Sequence, residues 1–237
     1  MDQATLGTLL ALSFLPPLVF VVWVRNHERH QREPLSAVLG LFAYGGTVGV
    51  VIALALTLLF DAGFGASPSG LNLLSIVVVA PLVEELSKGL GLGLASRRIR
   101  EAEDGIVYGA AIGLGFGATE NLLYGLKALS DTQNSLEAAA LTIGLRVFSS
   151  VLLHAGSCAL LGYGYSRMRL SRSPAVVLLP FYLLAVAMHA LYNFLVGPQY
   201  VLGFGAAVVM VLVVTTLLRR QIRRLDARPS AALEPPL

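Results

Sequence analysis

Residues 71–95 read LNLLSIVVVAPLVEELSKGLGLGLA, an apolar stretch in which Glu84, Glu85 and Lys88 lie close together near the middle. About 20 mostly apolar residues are enough for a helix to cross the hydrocarbon core of a membrane. A charged side chain at the bilayer centre costs about 2.5–3.5 kcal/mol on insertion scales, so three in one span need partners. The stretch therefore predicts a membrane-spanning helix that carries part of a functional site.

The rest of the chain repeats this apolar character. Hydrophobic residues make up 56% of the 237 residues and charged residues 13%, whereas soluble domains have about 25% charged residues. We predict an all-α, multi-pass helix bundle of the cell membrane with about seven transmembrane helices, in which residues 1–225 form one domain and residues 226–237 a disordered cytoplasmic tail. The predicted spans are residues 5–24, 35–60, 71–95, 105–126, 138–165, 175–196 and 200–218.

The basic residues predict the orientation of these spans. Fourteen of the 17 Lys and Arg residues lie in alternate connectors or in the C-terminal tail: Arg25, Arg29, Arg32, Arg97, Arg98, Arg100, Arg167, Arg169, Arg172, Arg219, Arg220, Arg223, Arg224 and Arg228. The positive-inside rule places these segments in the cytoplasm, which predicts an extracytoplasmic N-terminus and a cytoplasmic C-terminus. Because topology accounts for the net charge of +3, we expect the lipid bilayer, and no nucleic acid, as a partner.

Ionisable residues inside the predicted spans are candidates for a functional site. In the third span, Lys88 follows Glu84 by four residues and Glu85 by three, so all three lie on one helix face. Glycines at positions 109, 113 and 117 predict a close helix contact near Glu120 in the fourth span. The fifth span carries Arg146 and His154, and the sixth carries His189 and Asn193 at an i, i+4 spacing.

This set of residue types favours hydrolysis by activated water. A positioned carboxylate can deprotonate water, and imidazole or carboxamide N–H groups can donate to a developing oxyanion. The sequence has no His-Glu-x-x-His, Gly-x-Ser-x-Gly or P-loop motif. Buried Glu, Lys and His residues also occur in proton relays, so a proton-coupled carrier is an alternative, although no paired repeats support it. A non-catalytic membrane scaffold is the third reading, in which the ion pairs only join helices.

Four motifs in combination resemble the PrsW family of intramembrane proteases, within the CAAX prenyl protease and bacteriocin-immunity superfamily. They are Glu84-Glu85-x-x-Lys88, Phe116-x-x-x-Glu120-Asn121, an intramembrane His154, and His189-x-x-x-Asn193. The resemblance covers about residues 71–196, which we take as the catalytic core. It implies site-1 cleavage of a single-span membrane protein, such as an anti-sigma factor, on its extracytoplasmic side.

The same resemblance implies roles for the motif residues. Glu84 is the water-activating base, with Glu85, Glu120 and His154 completing the acid–base set. His189 and Asn193 are the oxyanion donors, and Lys88 holds one carboxylate of the pair ionised. The resemblance leaves open whether a metal cofactor takes part. Glu120, His154 and His189 could provide a carboxylate and two imidazoles for a catalytic zinc, whereas the Lys88 ammonium already supplies cationic charge there.

Overall fold

The computed structural model describes residues 1–27, 32–64, 74–133 and 135–196, together with seven separate positions between 205 and 220. Every regular element in this part of the chain is helical. Five helices are long and apolar enough to cross a membrane: Gln3–His27, Leu35–Gly63, Ala102–Asp131, Leu136–Leu170 and Ala175–Val196. The prediction of an all-α fold with several membrane-spanning helices is therefore confirmed for the described residues.

Eight α-helices can be distinguished in the described chain. They are α1 (Gln3–His27), α2 (Leu35–Tyr44), α3 (Val50–Phe64), α4 (Ala80–Ala95), α5 (Ala102–Asp131), α6 (Leu136–Arg146), α7 (Leu152–Leu170) and α8 (Leu179–Val196). A 3₁₀ turn, Ala175–Leu178, leads into α8.

Three π-helical turns interrupt or precede these helices. Gly45–Gly49 joins α2 to α3, Ser75–Val79 leads into α4, and Val147–Val151 joins α6 to α7. Such turns are rare in proteins and are frequent at functional sites. Two of the three directly precede the segments that carry Glu84, Glu85 and His154.

The predicted third and seventh spans are not among these five helices. The third is helical from residue 75 to residue 95, but its three charged side chains lower its apolar character. The seventh, at 200–218, lies largely outside the described residues, and the predicted tail at 226–237 lies entirely outside them.

Helix α5 lies at the centre of the bundle and packs against α7, α1, α2 and α6. Its start is fixed by a capping box, in which Glu101 and Asp104 each accept from the other's backbone N–H. Most of its residues from Glu103 to Ala118 are buried, in keeping with a helix that is mainly small and apolar over this length.

The glycines of α5 bring it into backbone contact with α7. A Cβ atom at Gly109 would lie 2.2 Å from the carbonyl oxygen of Cys158, and one at Gly113 would lie 2.0 Å from that of His154. A residue with a side chain therefore does not fit at either position, and the predicted close approach of the two helices along these glycines is confirmed. The contact places Glu120, one turn beyond Gly117, beside the His154 side chain.

Candidate active site

Glu85 and Lys88 form a fully buried ion pair on α4. The ammonium of Lys88 donates to Oε1 of Glu85 at 2.7 Å, and neither side chain is exposed. Oε1 of Glu85 also accepts from the hydroxyl of Ser157 at 3.0 Å and faces Nδ1 of His189 at 2.9 Å. Three donors from three helices therefore hold this one carboxylate oxygen, which favours an ionised Glu85.

His154 lies between Lys88 and Glu120. Nδ1 of His154 is 2.9 Å from Nζ of Lys88, and Nε2 is 2.6 Å from Oε2 of Glu120. An ammonium can only donate, so Nδ1 carries a lone pair and Nε2 carries the proton that is donated to Glu120. The two neighbours thus select one tautomer and fix the ring.

Glu120 is held from the other side by Arg146. Nη2 of Arg146 donates to Oε2 of Glu120 at 2.9 Å and also to the hydroxyl of Ser150 at 2.9 Å. The guanidinium lies over the ring of Tyr124, 3.7 Å from its centroid. The π-helical turn between α6 and α7 contains Ser150 and allows Arg146 and His154 to reach the same carboxylate oxygen.

His189 joins α8 to both glutamates of α4. Because a carboxylate accepts, the contact with Glu85 places a proton on Nδ1 of His189. In the neutral ring, Nε2 then carries a lone pair, and it lies 3.7 Å from Oε2 of Glu84. The His154 and His189 rings meet edge to face, with centroids 4.9 Å apart.

Glu84 differs from Glu85 in its exposure. Each has a buried Oε2 atom that accepts no hydrogen bond from the described residues. The Glu84 side chain is 14% exposed and its Oε2 lies 3.8 Å from Nζ of Lys88, whereas the Glu85 side chain is not exposed. A carboxylate oxygen that faces an imidazole lone pair favours a cation between them, either a proton or a metal ion.

The structure brings together six of the seven predicted site residues: Glu84, Glu85, Lys88, Glu120, His154 and His189. The seventh, Asn193, donates from Nδ2 to the backbone oxygen of Ile76 at 2.9 Å. Ile76 lies in the π-helical turn before α4, so this bond ties α8 to the segment that carries the glutamates.

Two further residues that the sequence analysis did not single out contact the cluster. Ser157 donates to Glu85, and Ser150 lies between Arg146 and Glu120. The ring of Phe116, which belongs to one of the four motifs, has its centroid 4.5 Å from the Lys88 ammonium. Ser157 follows His154 by one helical turn, and this spacing was the available signal. Ser150 follows Arg146 by four residues, which is a signal of the same kind, and it lies in the π-helical turn Val147–Val151.

The metal-ligand prediction needs one correction. Glu84, His154 and His189 each offer a ligand atom within 4.8 Å of the others, so Glu84 takes the place predicted for Glu120. Glu120 is instead occupied by Arg146 and by Nε2 of His154. One carboxylate and two imidazoles match a catalytic zinc site with an open position.

The surroundings of these three residues also fit a metal. In zinc sites the outer nitrogen of a ligating His usually donates to a carboxylate. Here Glu120 accepts from His154 and Glu85 accepts from His189. The orphaned Oε2 of Glu84 supplies the third ligand. The residues therefore fit a metal ion, and the Lys88 ammonium on Nδ1 of His154 is the one feature that competes with it.

An apolar cavity of about 530 Å³ reaches Glu85 from the side where α4 and α7 lead to arginine-rich segments. Its walls include Gly89, Gly93, Leu161 and Tyr182. The hydroxyl of Tyr182 donates to the backbone oxygen of Leu82, which fixes α8 against α4 at the inner end.

Comparison with known proteins identifies the family. Residues 33–218 match the family described as PrsW family intramembrane metalloprotease. The chain belongs to the PrsW family. It is 30% identical to Protease PrsW of Clostridioides difficile (strain 630) over 199 residues, which cover 81% of this chain and 80% of the relative. It is 27% identical to Protease PrsW of Geobacillus kaustophilus (strain HTA426) over 222 residues, 90% of each chain. As a PrsW family member with five candidate spans, it is a multi-pass membrane protease.

Proposed function

We propose that this protease hydrolyses a peptide bond of a single-span membrane protein by water that Glu84 activates. The observation that carries the proposal is the buried, unpartnered Oε2 of Glu84 beside the two histidines. A general base must accept a proton from water at hydrogen-bond distance, so it needs a free acceptor atom. Glu84 and Glu85 each have such an atom at Oε2, but the Glu84 side chain is 14% exposed and the Glu85 side chain is not exposed, so Glu84 is the one that lies nearer to water. Oε2 of Glu120 is held by Arg146 and His154.

The remaining residues orient and balance the reacting groups in this proposal. Lys88, Ser157 and His189 hold Glu85 as a fixed negative charge beside Glu84. Arg146 holds Glu120, which in turn orients His154. One amide N–H of Asn193 donates to the backbone oxygen of Ile76, and the second can donate to the oxyanion. His189 can donate from Nε2 when its ring carries both protons.

In the second form of the same proposal, a metal ion is bound at the site. Glu84, His154 and His189 would hold it, with Glu85 and Glu120 behind the two imidazoles. A divalent metal at that position would act as a Lewis acid and lower the pKa of water. Metal content measured in active protein, with a chelator titration, separates the two forms. Full activity of metal-free protein would leave only the carboxylate form.

We propose the finer topology and substrate from the sequence. The helix at 75–95 and the apolar run at 200–218 complete seven spans with an extracytoplasmic N-terminus. The substrate is a single-span protein of the anti-sigma-factor type, cut on the extracytoplasmic side. Membership of the wider CAAX prenyl protease superfamily is part of the same proposal.

The proposal is tested with the full chain reconstituted into vesicles together with a panel of single-span membrane proteins. Mass spectrometry of the products gives the cut position, and a pH-sensitive dye inside the vesicles reports proton flux. We expect cleavage of at least one panel member near its extracytoplasmic membrane boundary, without flux. Proton flux without cleavage would favour the carrier alternative, and cuts only on the cytoplasmic side would contradict the proposed topology.

A further inference from the structure

The buried ammonium of Lys88 contacts the same atoms that a metal ion would need. It lies 2.9 Å from Nδ1 of His154 and 3.8 Å from Oε2 of Glu84, and its side chain has no exposure. Glu84 and His154 are two of the three members of the candidate metal group. A metal ion and this ammonium therefore share two of their neighbours.

His154 cannot bind a metal while it keeps both of its present contacts. Its Nε2 donates to Glu120 at 2.6 Å and its Nδ1 accepts from Lys88 at 2.9 Å. Histidines that bind metals keep the carboxylate on their outer nitrogen, because that contact fixes the tautomer. The contact that has to open is therefore the one between Lys88 and Nδ1.

Lys88 retains partners after it leaves His154. Its bond to Oε1 of Glu85 is 2.7 Å long, and its ammonium lies 4.5 Å from the centroid of the Phe116 ring. An ammonium and a divalent ion in one water-poor cavity repel each other strongly, since the local dielectric constant is low. Movement toward Glu85 and Phe116 would reduce this repulsion without leaving a buried charge unpaired.

We infer that Lys88 is an internal competitor of the metal ion: its ammonium holds Glu84 and His154 when no metal is bound and releases His154 when metal binds. Lys88 thereby keeps two of the ligands near each other and sets the affinity of the site. This inference rests on the metal form of the proposed function. It is read out by metal binding without substrate, so its failure is distinguishable from a failure to cleave.

The experiment measures Zn²⁺ binding to the purified full chain by equilibrium dialysis. Lys88→Met removes the competing charge and is expected to bind Zn²⁺ at least about 10-fold more tightly than the unchanged chain. Lys127→Met is the matched control, because Lys127 is 64% exposed and pairs with Asp131 on the surface. Lys88→Arg keeps a positive charge and is expected to show no increase in affinity.

Three results would overturn the inference. The first is Zn²⁺ binding by Lys88→Met that is equal to or weaker than that of the unchanged chain. The second is tighter binding that persists when His189→Ala is added, since the metal would then lie elsewhere. The third concerns folding: if Lys88→Met cannot be purified without metal, Zn²⁺ during growth and purification should restore folded protein, and failure to restore it would contradict the inference.

Discussion

At the scale of single residues, each histidine of the site has one ring nitrogen that contacts a carboxylate. The other ring nitrogen is directed toward Lys88 in His154 and toward Glu84 in His189. His154 pairs with Glu120 and His189 pairs with Glu85. Both rings are held by charges from other helices, so their orientation does not depend on α7 or α8 alone. The chemistry of the site is therefore a property of the set of carboxylates, of which Glu84 combines an unpartnered oxygen with a partly exposed side chain.

The hydrogen bond from Ser157 to Glu85 is expected to contribute to the stability of the folded protein. Ser157→Ala removes one of the three groups around Oε1 of Glu85 and leaves the carboxylate buried. A hydrogen bond to a charged group contributes about 1.5–3 kcal/mol, so we expect the free energy of unfolding to fall by that amount. Denaturant titration followed by circular dichroism measures it. Ser171→Ala is the control, because Ser171 is exposed at the end of α7. Equal stability of the two variants would contradict the role of Ser157.

The sequence identified most of the site because helix periodicity relates residues on one helix. The spacing of Glu84, Glu85 and Lys88 predicted a shared face, and their contacts agree with it. The choice between Glu84 and Glu120 as neighbour of both histidines depends on how three helices rotate against one another. Spacing along a single helix carries no information on that rotation, which is why the predicted metal set contained the wrong carboxylate.

At the scale of the elements, the contact between α5 and α7 positions Glu120 against His154. Gly113→Ala would place a Cβ atom 2.0 Å from the carbonyl oxygen of His154, so the two helices would have to separate. Overpacking of this kind typically costs about 1–3 kcal/mol, and we expect both lower thermal stability and weaker cleavage.

Gly144→Ala is the matched control for this prediction. No atom lies within 4 Å of a Cβ at Gly144, and alanine is the better helix former by about 0.5–1 kcal/mol. We expect its melting temperature to equal or exceed that of the unchanged chain. A Gly113→Ala protein as stable and active as Gly144→Ala would show that the α5–α7 contact tolerates a methyl group.

The three π-helical turns are the elements that sequence analysis did not predict. The turn at Val147–Val151 lies between Arg146 and His154. The turn at Ser75–Val79 contains Ile76, whose backbone oxygen accepts a hydrogen bond from Asn193. A wider turn changes the direction of all later side chains on a helix. Apolar periodicity does not reveal such a turn, because its residues, such as Ser75 to Val79, are as apolar as those of the helix around it.

At the scale of the whole molecule, the arginine-rich segments predict which ends of the helices face the cytoplasm. Asp131 at the end of α5 and Ser171 after α7 are exposed. Asp131→Cys and Ser171→Cys should therefore react with a membrane-impermeant thiol reagent from opposite sides of a sealed vesicle. The natural Cys158 is buried, so it contributes little background. Labelling of both positions from the same side would contradict the topology.

The membrane class could be deduced from composition alone, and the family from four short motifs. Apolar length is a strong signal because the bilayer sets it, which is why five predicted spans recur as long helices. The span at 75–95 is not among these five, since the residues that serve the site give it three charged side chains.

The central claim is that Glu84 supplies the free carboxylate oxygen for hydrolysis. Glu84→Gln keeps the size of the side chain and removes the carboxylate, whether it acts as base or as metal ligand. Glu137→Gln is the control, since Glu137 is exposed in the first turn of α6. With a verified single-span substrate in vesicles, we expect Glu84→Gln to lower the cleavage rate at least about 100-fold without loss of helical content, and Glu137→Gln to leave it unchanged. Cleavage by Glu84→Gln at the rate of Glu137→Gln would contradict the account.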